Sequence, residues 1–267
     1  MFSSIAVFLV ANYRYDARKK IINKSKMEEK SVISFNNCSK KFGNRSILEN
    51  ISFSVKEGSF ISILGRSGCG KTTLIRLLAG LEKLDKGDIF INENKVSNSG
   101  HILIPPHQRN IGFIFQDLAL FPHFTVYDNI AFGLKIKKMR NYKIVIEDIL
   151  QQLNILPLKD YYPNQLSGGQ QQLVALARNL VLNPKILLMD EPLANLDVKL
   201  KTQIRGLLKQ IVQEKHITVF YVTHDHKEAM EMSDKILLLN NGAVEFFGTP
   251  QEMKQSNNTF VKEFIEV

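Results

Sequence analysis

Residues 65–72 read GRSGCGKT, which fits the pattern G-x-x-x-x-G-K-[ST] and leaves the chain few folds to choose from. The apolar run FISIL (60–64) precedes it, and TLIRLLAG, with apolar residues at helical spacing, follows it. Strand, glycine loop and helix is the order that a phosphate cradle needs. Glycines let successive backbone N–H groups curl around the β- and γ-phosphates of a nucleotide, and the helix N-terminus adds partial positive charge. The expected phosphate-binding residues are Gly65, Ser67, Gly68, Cys69, Gly70, Lys71, Thr72 and Thr73. Lys71 brings a formal charge to the same oxygens, and Thr72 offers a hydroxyl to Mg²⁺. A plain glycine turn is the bland alternative, and it requires neither the strand before nor the lysine and helix after. The pattern implies a nucleoside triphosphatase or a phosphoryl transferase.

Composition agrees with a globular chain of this kind. Apolar residues make up 44% and charged residues 23% of 267, which excludes a disordered or fibrous protein. No apolar run approaches the ~20 residues that span a bilayer. Cys38 and Cys69 are too few for a disulfide framework, which suits a reducing compartment. The net charge of +9 raises the question of nucleic acid. Residues 1–26 carry Arg14, Arg18, Lys19, Lys20, Lys24 and Lys26 against Asp16, and so supply +5 of that total. The remainder is Lys-rich, without a dense basic run or interleaved aromatics, and reads as a solvated coat; no nucleic-acid partner is expected. Within residues 1–26 the apolar stretch Ile5–Ala11 is followed by positive charge, the reverse of a secretory leader. A loose extension or misassigned start ahead of MEEKSVISFNN at position 27 is expected, with a targeting presequence as the alternative.

Strand and helix patterns alternate from about residue 31. VISFNN (32–37) and ISFSV (51–55) alternate apolar and polar residues, as half-buried antiparallel strands do. FISIL, KILLMD (185–190) and ITVFYVTH (217–224) are nearly continuous apolar runs, as parallel strands buried on both faces are. Helical spacing runs through 71–80, 143–153, 170–182 and 198–213. The predicted class is α/β: a P-loop core with an antiparallel β subdomain and a helical subdomain over about 117–180, in one domain spanning 27–267.

KILLMD ends in Asp190, and Glu191 follows directly. A phosphate-loop protein needs an acid at such a strand end to hold Mg²⁺ through water, and Asp190 fits. Glu191 would lie just beyond, where a carboxylate can polarise the attacking water as a general base. On its own such a pair is usually a solvated strand end; Lys71 upstream favours the functional reading.

LSGGQ (166–170) lies 20 residues before Asp190, and here the sequence resembles the ATP-binding subunits of ABC transporters. The resemblance covers roughly residues 31–267. Phe42 in KKFG matches the aromatic that stacks on adenine, and Gln116 in FIFQD matches a glutamine that serves Mg²⁺ and coupling. Asp197 in LANLD and His224 in VTHD match two further family motifs, His224 being the switch histidine. Read physically, Ser167, Gly168, Gly169 and Gln170 open a helical pattern and make a second phosphate-binding terminus. One chain thus carries two incomplete sites. The family's solution is a head-to-tail dimer in which ATP lies between one phosphate loop and the partner's LSGGQ. The resemblance implies Glu191, His224 and Gln116 as catalytic residues, and Thr72, Gln116 and Asp190 at the metal. One departure is QQL at Gln171–Leu173, where the family usually has an Arg-Gln-Arg type run; contacts around the signature helix are expected to weaken.

RNIGFIFQDLALFPHFTVYDNIAFGL (109–134) is similar to the importer branch that serves ferric iron, polyamines, sulfate or simple sugars. The resemblance implies permease subunits, a second ATP-binding subunit, and indirectly a periplasmic or surface solute-binding protein as partners. It implies a peripheral position on the cytoplasmic face of the inner (plasma) membrane. The chain stops where many relatives continue into a β-rich regulatory domain, and regulation through such a domain is not expected. Leu120, Phe121 and Phe124 form an apolar, loop-like stretch expected at the permease contact. The rival is an ABC-type ATPase of DNA repair or chromosome maintenance. Those proteins carry long coiled-coil or zinc-bearing insertions, whereas only 93 positions separate Gly70 from Pro163 here.

Overall fold

A computed structural model of the chain describes residues 31–194 and 196–266. The expectations for residues 1–26 and for a start at 27 lie outside the described residues.

The alternating segments do pair as antiparallel neighbours. β1 (Ser31–Phe42) and β2 (Arg45–Lys56) form a hairpin in which Phe35 faces Phe53, their rings stacked 4.7 Å apart. β4 (Lys86–Ile91), β5 (Asn94–Asn98) and β6 (His101–Ile102) extend this sheet in the order β2-β1-β4-β5-β6. The continuous apolar runs become the middle of a second sheet. β3 (Phe60–Gly65), β8 (Ile186–Asp190) and β9 (Thr218–Val222) are buried at every position. With β7 (Ile111–Ile114), β10 (Lys235–Asn240) and β11 (Ala243–Gly248) they give the order β11-β10-β3-β9-β8-β7. Its pairs are parallel except for β10 with β11.

Helices cover both faces. α1 (Lys71–Ala79) lies between the two sheets, where Leu74, Ile75, Leu77 and Leu78 join Ile61, Ile63 and Phe220 in one buried cluster. On the other face, α2 (Val126–Ile136), α3 (Tyr142–Gln152), α4 (Gly168–Leu180) and α5 (Val198–Glu214) share a cluster with Met189, Val219 and Tyr221. α6 (His226–Met232), α7 (Pro250–Lys254) and α8 (Thr259–Glu266) pack around Ile236 and Leu238 of β10. The architecture is the α/β class read from the sequence, with antiparallel strands on one side and the helices that include LSGGQ on the other. No helix among the described residues is long and apolar enough to cross a membrane.

Arg109 ties the antiparallel sheet to α1. It is 5% exposed, and its guanidinium donates to the carbonyls of Ile104, Leu77, Leu78 and Val96 and to the Ser97 hydroxyl. Burial lowers its pKa to about 10, so the group stays charged at neutral pH. Its acceptors include the last carbonyls of α1, where the helix dipole favours a cation.

Candidate nucleotide site

Four neighbouring strands end at one place. The loop after β3 carries Gly65–Lys71, β9 leads to His224, β8 ends in Asp190 and Glu191, and β7 leads to Gln116. The carboxyl ends of parallel strands in an open α/β sheet are where such folds place ligands.

Gly70 is the N-cap of α1 and has φ 107°, a conformation that favours glycine. A Cβ there would also stand 2.6 Å from Leu48 Cδ2 and 3.0 Å from the Ile47 carbonyl oxygen, so the loop admits no side chain at this point. Lys71 is 8% exposed, and its amine donates to the carbonyls of Gly65 (2.8 Å) and Arg66 (3.2 Å). The amine is thereby held under the loop. Burial raises the pKa of the Cys69 thiol, so this side chain packs as a neutral group.

The Thr72 hydroxyl donates to Asp190 Oδ1 at 3.0 Å. Burial pushes the Asp190 carboxyl above its ordinary range, against the lowering effects of that hydrogen bond and of Arg76 and Lys71. Two hard oxygen donors held together, one on a desolvated acid, fit a divalent cation such as Mg²⁺. Glu191 has φ 47°, and its N–H donates to the Val222 carbonyl at 3.0 Å, tying the end of β8 to the end of β9. A left-handed non-glycine residue is strained backbone that the surroundings must hold in place. Glu191 Oε2 lies 3.5 Å from His224 Nδ1.

A cleft of about 490 Å³ is lined by Arg45, Ile47, Ser67, Gly68, Gly70, Lys71, Thr72, Thr73, Gln116 and Glu191. Among the expected residues, Phe42, Gly65, Cys69, Asp190 and His224 do not line it: Asp190 is hydrogen-bonded to the lining residue Thr72, His224 lies against Glu191, and the exposed Phe42 ring sits 4.8 Å from Lys40 Nζ. Arg45 and Ile47, just beyond the hairpin turn, do line it, and no sequence pattern pointed to them. Gly168 lines an adjoining cavity of about 220 Å³ that also contains Gln116 and Glu191. Ser167–Gln170 therefore stand beside this chain's phosphate cleft and outside its lining.

Ser167 and Gln170 form a reciprocal cap at the start of α4: the Gln170 N–H donates to Ser167 Oγ, and the Ser167 N–H donates to Gln170 Oε1. A Cβ at Gly169 would run into Leu200 of α5, so glycine lets the helix start lie close to the segment after Asp197. Asp197 is exposed and caps α5 through the Leu200 N–H. In the QQL departure, the Gln171 side chain donates to the carbonyls of Pro163 and Leu166, in the segment that leads into the signature turn. Leu173 packs against the helical core. The expected weakening therefore has a local counterweight in Gln171.

The phenyl stretch divides. Leu120 packs against the core, whereas Phe121, Phe124 and Phe132 form a half-exposed ring cluster with centroids 4.8–6.0 Å apart. Arg178 of α4 was missed by the sequence reading. Its guanidinium donates to the carbonyls of Leu118 and Ala119, both at positive φ, and so links the signature helix to the segment after Gln116.

The protein-family model described as ABC transporter matches residues 48–194. The spermidine/putrescine import ATP-binding protein PotA of Acetivibrio thermocellus is 46% identical over 90% of this chain and 67% of its own length. The Fe(3+) ions import ATP-binding protein FbpC of Fusobacterium nucleatum is 45% identical over 87% of this chain and 62% of its own. The chain thus spans about two thirds of the length of these relatives. Among solved structures, the dimeric post-hydrolysis state of the ATP-binding cassette MJ0796 bound to ADP and Pi superposes with a TM-score of 0.72 at 34% identity. That match covers 82% of this chain and 98% of the other.

Proposed function

This chain belongs to the ABC transporter family, and we propose that it is the ATP-hydrolysing subunit of an importer, working as a head-to-tail dimer. The observation that carries the reading is the convergence of four strand ends on one cleft, with Lys71, Thr72, Asp190, Glu191, Gln116 and His224 at them. In this reading Lys71 and the loop N–H groups hold the phosphates, while Thr72, Asp190 and Gln116 hold Mg²⁺. The metal, when bound, neutralises charge that develops on the transferring phosphoryl oxygens. Glu191 accepts the proton of the attacking water, and His224 orients that carboxylate. Ser167–Gly169 and Asp197 serve the partner's nucleotide, since they stand outside the cleft lining of their own chain. Phe42 is the proposed adenine-stacking ring, and residues 27–267 act as one ATPase unit with 117–180 as its helical part.

The relatives are import ATP-binding proteins for polyamines and ferric iron, which supports import and argues against the DNA-maintenance rival. The proposed partners are permease subunits, with a solute-binding protein delivering cargo to them. The proposed position is peripheral, on the cytoplasmic face of the membrane. Reconstitution with permease subunits in vesicles tests this. Labelled spermidine or ferric iron should accumulate only with ATP and Mg²⁺, and not with Lys71→Ala. Hydrolysis that DNA stimulates and vesicles leave unchanged would contradict the reading.

A further inference from the structure

The turn that carries His224 is built on a buried acid that no motif marked. Glu228, in the first turn of α6, is 2% exposed. Its Oε2 accepts two hydrogen bonds, from the Tyr221 hydroxyl at 2.8 Å and the Thr223 hydroxyl at 3.0 Å. Thr223 Oγ1 in turn accepts the Asp225 N–H at 3.0 Å, and Asp225 Oδ1 accepts the Glu228 N–H at 3.0 Å. Glu228, Thr223 and Asp225 thus close a ring of hydrogen bonds around His224, with an anchor on each side of it. Burial, and after it the charge of Glu228, push the Tyr221 phenol far above its ordinary range, so it remains a donor.

Stability alone does not account for an acid at this depth. Desolvating a carboxylate is costly, and an apolar side chain of similar volume is often as good or better for folding. Asp225 already caps α6, so the helix start does not need the Glu228 side chain. The second oxygen, Oε1, is buried with no hydrogen-bond partner. Glu228 also lines a small cavity of about 10 Å³ together with Glu191, His224 and Lys201, space on the scale of one water. The acid therefore sits directly behind the pair proposed to activate water.

We propose that Glu228 is a positioning residue for hydrolysis: through Thr223 and Tyr221 its carboxylate fixes the turn that holds His224 against Glu191. The proposal rests on the reading of Glu191 and His224 as the hydrolytic pair.

Steady-state ATP hydrolysis by the full chain, in the wild-type and His224→Ala backgrounds, tests it. Glu228→Ala should lower kcat about tenfold or more with KM for ATP unchanged, yet alter the rate by less than about twofold in the His224→Ala background. Thr223→Val should reproduce that loss, and Thr223→Ser, which keeps the hydroxyl, should restore the rate. The Thr223 pair carries the same test if Glu228→Ala does not fold. Equal fold-losses in the two backgrounds, or a loss confined to KM and melting temperature, would overturn the proposal. If His224→Ala is slow while Glu228→Ala and Thr223→Val match wild type, positioning by Glu228 is wrong and the pair stands. If His224→Ala itself hydrolyses at the wild-type rate, the reading of the pair falls.

Discussion

Asp190 is 6% exposed at the end of β8, and burial raises its carboxyl pKa in spite of the Thr72 hydrogen bond. A raised folded-state value means that folding disfavours the charged form. The group's contribution to stability is present below the unfolded carboxylate value and is lost as pH rises through the folded one. At neutral pH the charge therefore costs stability, a cost that the proposed Mg²⁺ would offset. Asp190→Asn should melt at a higher temperature than wild type at pH 7 without nucleotide, with the gap closing as pH falls below the ordinary carboxylate range. The same variant should lose Mg²⁺-dependent hydrolysis. Thermal melts across pH read the first effect and steady-state rates the second. At this scale the sequence was most legible where the chemistry sits in one contiguous motif. The loop glycines, Lys71 and Thr72 occupy eight successive positions, and the strand before them made the pattern specific. Arg45 and Ile47 enter the cleft just beyond a hairpin turn, and Arg178 and Glu228 each make a pair of hydrogen bonds, to the Leu118 and Ala119 carbonyls and from the Tyr221 and Thr223 hydroxyls. Periodicity carries no trace of either kind of contact.

The elements followed their patterns where burial is one-sided or complete. Apolar alternation predicted β1 and β2, and the continuous runs predicted β3, β8 and β9. α3 was expected over 143–153 and occupies Tyr142–Gln152. α2 was missed as a helix because its start adjoins the phenyl stretch, although Thr125 and Asp128 form a cap there that the sequence does show. Asn129, fully buried, then fixes the loop ahead of α2. Its side chain accepts from the Phe121 N–H and donates to the carbonyls of Phe121, Phe124 and Thr125. That anchoring holds the ring cluster at the surface. Phe121→Asp and Phe124→Asp should therefore leave hydrolysis by the isolated chain within about twofold of wild type, since surface substitutions typically change stability by only about 0.5 kcal/mol. Transport by the assembled importer should fall at least tenfold, by the usual weight of a buried aromatic at an interface. Paired hydrolysis and uptake assays separate the two, and loss of hydrolysis in the isolated chain would show that the rings support the core instead.

At the scale of the whole molecule, two incomplete phosphate sites stand side by side in one chain. The phosphate loop opens into a cleft that the signature residues do not line, and those residues cap a helix beside it. This arrangement was legible in the sequence as two glycine-rich helix starts in one chain. The similar solved cassette is a dimer bound to ADP and Pi. In the proposed assembly, ATP completes the site by joining two copies. Glu191→Gln keeps the shape of the side chain and removes its proton acceptor, so hydrolysis should fall by roughly 10²–10⁴-fold while ATP binding survives. Lys71→Ala should lose ATP affinity and with it the means to pair. Size-exclusion chromatography with ATP and Mg²⁺ is the direct measurement. Glu191→Gln should elute as a dimer and Lys71→Ala as a monomer. A Glu191→Gln chain that stays monomeric with ATP bound, or that hydrolyses at the wild-type rate, would contradict both the assigned base and the shared site.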